Sequence, residues 1–152
     1  MNKILLVAGL LLLFMNGLQA QQIVEKEGRY YRSNEPFTGT YTTRFDNGQP
    51  KMEINIKNGD KHGKTKIWSA DESLHEIRSY KNNQMHGKWE MFNKDNILVS
   101  VARYRNGQKH GKWMIWNDQG NLLYELHYRN GEKTGIWKSY EGNGNMVDKR
   151  KY

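Results

Sequence analysis

The chain of 152 residues contains no cysteine. That excludes a disulfide framework, a thiolate nucleophile and a cysteine-ligated zinc site. It also excludes the lipid-modified cysteine of a bacterial lipoprotein. Serine is sparse and never falls at a repeated position, so no hydroxyl nucleophile stands out. No glycine-rich phosphate loop, HExxH or GxSxG pattern occurs. Acidic pairs such as Asp71-Glu72 fall in an expected turn, where solvation keeps them ordinary acids. No enzymatic activity, cofactor or metal is therefore expected. Long apolar runs are also missing, apart from Ile4 to Met15 behind Lys3. A membrane-spanning helix needs about 20 apolar residues. This shorter run, with small Ala20 after it, reads as a signal peptide over residues 1–20, cleaved at Ala20-Gln21, rather than a retained anchor. A secreted or periplasmic protein is expected, held together by packing and backbone pairing alone.

What is present is periodic. Glycines at 39, 63, 87, 111 and 135 stand 24 apart, as do asparagines at 34, 58, 82, 106 and 130. Tyr80, Tyr104, Tyr128 and Tyr152 form a third column, with Ile56 in the equivalent place. A fixed period of this size marks a repeat array. The mature region 21–152 divides into a degenerate unit over 28–55 and units over 56–79, 80–103, 104–127 and 128–152, with no slip in phase.

Within a unit the signals are those of strands. Asn-Gly at 106–107 and 130–131 suits a two-residue hairpin turn, whose central residues both need positive φ. Half a unit away, "FDNGQ" at 45–49, "NDQGN" at 117–121 and "EGNGN" at 141–145 mark a second turn. About nine residues remain for each strand, and the recurring glycines would interrupt any helix. The fold class is all-β: an elongated antiparallel sheet of stacked hairpins, about ten strands in sequential order. Alternation puts Trp113 and Ile115 on one face with Trp89, Met91 and Trp137. Met114 and Trp116 take the other, where Trp68, Phe92, Trp116 and Tyr140 form a candidate exposed aromatic column. The glycine column falls inside strands, so a bulge or an overlying aromatic ring is expected there.

The stretch from Tyr104 to Tyr128, "YRNGQKHGKWMIWNDQGNLLYELHY", resembles the MORN-variant repeat, Y-x-N-G-K-x-H-G-x-W-x-x-[YFW]-x-x-x-G-x-L. The resemblance covers about four units well and the first one poorly. The unit from Ile56 has Thr65 where tryptophan is expected, and the last has Thr134 where the others have histidine. It implies stacked antiparallel hairpins and a binding or scaffold role. Many bacterial members carry an antitoxin-like label.

His62, His86 and His110 also recur every 24 residues. Successive copies lie two strands apart, about 9.5 Å, whereas ligands of one zinc ion sit about 3.3 Å from one another. A metal site is not expected. The cations are more informative. Lys57, Lys61, Lys64, Lys81, Lys88, Arg105, Lys109, Lys112, Arg129 and Lys133 cluster around the Asn-Gly turns, with only Asp60 and Glu132 among them. The opposite turns carry Asp46, Asp71, Glu72, Asp95, Asp118 and Glu141 against Lys94 alone. The basic edge is the candidate site for an anionic ligand: a glycan, lipopolysaccharide or lipid headgroup. Solubilising edge charge is the plainer reading. A protein partner held on a sheet face or terminal strand is the alternative function. Nucleic acid is not expected as a partner of an exported chain.

Overall fold

The computed structural model describes residues 22–152. The signal-peptide reading and its cleavage point lie outside the described residues. The strands are β1 (Ile23–Lys26), β2 (Arg29–Arg32), β3 (Glu35–Pro36), β4 (Gly39–Arg44), β5 (Pro50–Lys57), β6 (Asp60–Trp68), β7 (Leu74–Lys81) and β8 (Gln84–Met85). They continue as β9 (Gly87–Phe92), β10 (Leu98–Arg105), β11 (Gln108–Lys109), β12 (Gly111–Trp116), β13 (Leu122–Arg129), β14 (Glu132–Lys133), β15 (Ile136–Tyr140) and β16 (Met146–Lys151). No described residue is helical. Ten strands, β4, β5, β6, β7, β9, β10, β12, β13, β15 and β16, follow one another across a single sheet in chain order. β1, β2 and β3 form a separate small sheet.

Local chemistry accounts for both turn types. At the tight turns Asn106 (φ 50°) and Gly107 (φ 80°), like Asn58 (φ 52°) and Gly59 (φ 84°), supply the two positive φ values of a type I′ hairpin. The wider turns are five copies of one loop. The N–H of residues 45, 69, 93, 117 and 141 donates to the carbonyl four residues later at 2.8–3.0 Å. Neighbouring units are also zipped at the tight turns. The N–H of Gly59, Asn83, Gly107 and Gly131 donates to the carbonyl of Phe37, Lys61, Met85 and Lys109 respectively, at 2.8–3.0 Å. These bonds join one unit to the next, so the array is held by contacts a single unit cannot make.

The recurrent glycine sits in a bulge. Between the pairs Val101↔Met114 and Tyr104↔Lys109, β10 advances three residues and its partner five. Gly111 lies in that excess with φ 79°, and Gly63, Gly87 and Gly135 likewise have positive φ. The overlying ring is found only at Gly39, where an added Cβ would meet the Phe37 ring at 2.9 Å. At the other four the nearest atoms belong to Asn55, Ser79, Arg103 and His127.

The expectation of an unbroken phase fails in the first unit. Its tight turn uses Ser33 (φ 51°) and Asn34 (φ 65°), between the paired Arg32 and Glu35. Asn34 thus takes the second turn position, which Gly107 holds in the fourth unit, and one extra residue separates the turn from Gly39. The glycine column keeps its step because the slip is absorbed ahead of it.

Directly paired residues share a face and successive ones alternate. One face carries an aromatic ladder in which tryptophan and tyrosine interleave: Tyr80, Trp89, Tyr104, Trp113, Tyr128, Trp137 and Tyr152, with adjacent ring centroids 4.8–5.8 Å apart and tilted. Each tryptophan Nε1–H in it donates to a backbone carbonyl, of Ser79, Arg103 or His127. The missing tryptophan at Thr65 has a structural counterpart. Lys109 lies over Trp113 and Tyr128, and Lys61 lies in the same manner over Tyr80 and over Tyr30 of β2. Tyr30, 2% exposed, therefore fills the place that a tryptophan at 65 would occupy. With Phe37, Ile54 and Ile56 it makes the buried core. Burial, with Glu25 beside it, holds the Tyr30 phenol well above its ordinary pKa.

Candidate functional site

The ten candidate cations do not form one edge; the strand alternation divides them. Lys61, Lys109 and Lys133 turn to the aromatic face. Lys109 stands 4.8 Å from the Trp113 centroid and Lys133 4.6 Å from that of Trp137. Met85 takes the equivalent place in the third unit. A methionine can fill it because the position chiefly covers the rings with methylene groups. Lys109→Met should accordingly change stability by no more than about 1 kcal/mol, the scale of an exposed cation–π contact. Matching urea midpoints for variant and parent would show this.

The other seven cations belong to the second face. Lys88 pairs with Glu90 at 2.7 Å, and Lys112 with Glu125 at 3.3 Å. Burial acts to raise the Glu125 pKa, but hydrogen bonds from His127 and Lys112 and the charges of Lys112 and Lys138 hold it below the usual glutamate range. Lys57, Lys64, Lys81, Arg105 and Arg129 are exposed and have no ion pair among the described residues. Lys57, Lys81, Arg105 and Arg129 end their strands at one place in four successive units. Of the two acids near the basic turns, Asp60 is engaged by Arg29 at 3.1 Å and by the Asn83 side-chain amide at 2.8 Å.

Arg103 lies outside the cluster read around the Asn-Gly turns, which in its unit begins at Arg105. Counting by two along β10 would have found it: Arg103 and Arg105 share the face opposite Tyr104. The histidines make bonds between units. Asn106 N–H donates to His86 Nδ1 at 3.4 Å and Asn130 N–H to His110 Nδ1 at 3.5 Å, while His62 Nδ1 lies 3.2 Å from Asn82 Oδ1. The candidate aromatic column differs from its description. Trp68, Phe92, Trp116 and Tyr140 are all half-buried rather than exposed.

The geometry defines a hairpin repeat array with a covered aromatic face and a charged one. The MORN repeat variant family matches this chain at residues 37–58 and 109–130, two segments whose starts lie 72 residues, or three periods of 24, apart. Those two segments match the MORN-variant repeat, and the other units repeat their spacing. One match falls in the first unit, whose resemblance to the motif reads as poor in the sequence. Its turn is shifted, yet the part from Phe37 onward keeps the family pattern. No curated protein matches the chain. Such an array is a binding or repeat module of a generally non-catalytic type.

Proposed function

We propose that this is an exported, non-enzymatic repeat protein whose charged face binds an anionic ligand of the cell envelope: a glycan, lipopolysaccharide or lipid headgroup. The observation that carries the reading is the column Lys57, Lys81, Arg105 and Arg129. These four cations are exposed, recur once per unit on one face, and lack carboxylate partners among the described residues. Copies two strands apart repeat at about 9.5 Å, so the column spans about 28 Å. Neighbouring charges at that distance are largely screened from each other, with a Debye length of about 8 Å at physiological salt. An extended polyanion or a headgroup layer can engage all four together.

Each cation near an anionic surface contributes about 1 kcal/mol. Changing all four to glutamine should therefore abolish binding of the full chain to phosphatidylglycerol vesicles and lipopolysaccharide. Any single change should weaken it by less than about tenfold. Binding should fall steeply between low and physiological salt. No binding at low salt would leave these cations as solubilising charge.

The second reading is a scaffold for a protein partner. It is favoured by β16, which is exposed along its whole length, with Met146 56% and Val147 64% exposed. A partner held there would resist salt and would ignore the four substitutions.

A further inference from the structure

One position breaks the regularity of the charged face. Arginine stands at 103, where the corresponding places hold Asn55, Ser79 and His127. Because β10 alternates, this puts two arginines on one face of a single strand, Arg103 and Arg105, instead of the single cation that ends β5, β7 or β13 at that place. An open cavity of about 360 Å³ lies beside them, lined among others by His86 and Gly87 from one bulge and His110 and Gly111 from the next. We infer that this notch, formed by His86, Arg103, Arg105 and His110, is a binding site for a phosphate monoester.

The surroundings hold the site open. Gly111 carries no side chain, and a Cβ there would stand 3.4 Å from Arg103 Cδ, in ordinary contact, so the arginine lies directly against the bulge. The Arg103 carbonyl accepts from His110 N–H at 2.9 Å and from Trp113 Nε1–H at 3.0 Å, which anchors this stretch of β10. Both imidazoles have Nδ1 facing a backbone N–H. An N–H can only donate, so Nδ1 accepts and the proton of the neutral ring resides on Nε2. Each ring then keeps one N–H for a ligand without needing a positive charge.

The charge balance favours an anion of high charge. The carboxylates of this face to either side, Glu90 on β9 and Glu125 on β13, are taken by Lys88 and Lys112. Neither arginine has a carboxylate partner among the described residues. Guanidinium forks match phosphate oxygens in pairs. A monoester offers three terminal oxygens and a charge of about −1.5 to −2 near neutral pH. A diester or a carboxylate offers two oxygens and a single charge. Two forks and two imidazole N–H groups supply more donors than the smaller anions can accept.

The inference rests on the reading of this face as an anion-binding surface and adds the chemical class at one point of it. The test is a titration of the full chain with inorganic phosphate, following the side-chain N–H resonances of arginine and histidine. Saturable shifts confined to His86, Arg103, Arg105 and His110 are expected. Arg103→Gln with Arg105→Gln should weaken phosphate at least about tenfold, the scale of losing charge-assisted hydrogen bonds. Lys26→Gln with Lys94→Gln removes the same charge elsewhere and should change it less than about threefold. All four side chains are exposed, so both variants keep the fold. Equal losses in the two variants, or shifts spread evenly over the cations, would overturn the site. Vesicles of phosphatidylcholine with phosphatidic acid, compared with soluble glycerol phosphate, distinguish a headgroup from a free phosphate compound. If phosphatidylglycerol vesicles fail to bind but the confined phosphate shifts persist, the broad surface reading fails and the site stands.

Discussion

Tyr30→Ala is expected to lower stability by about 3–5 kcal/mol, the cost of truncating a buried aromatic residue. Tyr30 is among the largest fully buried side chains, and its ring lies 5.9 Å from that of Tyr41. Its loss would open the core shared with Phe37, Ile54 and Ile56 and detach the small sheet of β1 to β3 from the array. The place it fills belongs to a tryptophan in later units, so a specific repair is expected. Thr65→Trp alone should destabilise by about 1–3 kcal/mol through overpacking. In the Tyr30→Ala background the same change should recover about 1–2 kcal/mol, as coupled neighbours do. Urea midpoints of the four proteins give the cycle. Additive losses would mean that Tyr30 and position 65 do not compete for one place.

Gly111→Val should cost about 1–3 kcal/mol, since a β-branched residue is forced to φ 79°. Gln108→Val, three residues earlier on the exposed strand β11, should stay within about 0.5 kcal/mol of the parent. Gly111→Asn should fall between them, because asparagine tolerates positive φ better than valine. Equal urea midpoints for the two valine variants would remove the bulge from any structural role. The arginine notch gives the same glycine a second consequence: Gly111→Asn, though folded, should also weaken phosphate.

The basic edge shows how far pattern reading reaches. Phase alone placed ten cations around the tight turns. It does not by itself separate Lys61, Lys109 and Lys133, which lie over rings, from Lys57, Lys81, Arg105 and Arg129, which stand free. Alternation makes the difference, and the bulge preserves it: two extra residues in the returning strand are an even number, so Lys109 keeps the face of Gly111 and Trp113. Lys109 therefore shares a face with Tyr104, whereas Lys112 pairs with His127 on the opposite one. Acidic partners were equally hidden, because Glu125 reaches Lys112 and Lys138 from an adjacent strand.

From the sequence alone followed the period, the all-β class, the chain-order stacking and the position of both turns. These are local properties: positive φ at Asn-Gly, alternation along a strand and the spacing of glycines all act within a few residues. Thr65 could be seen as a gap in the tryptophan column, but its filling by Tyr30 depends on a ring from a different sheet, 35 positions away. The shifted turn of the first unit escaped notice because Asn34 keeps the numerical step while occupying a different turn position. Likewise the Trp and Tyr columns merge into one ladder only when antiparallel pairing brings Trp113 between Tyr104 and Tyr128. Tertiary structure decided these points because each depends on which side chains meet across strands.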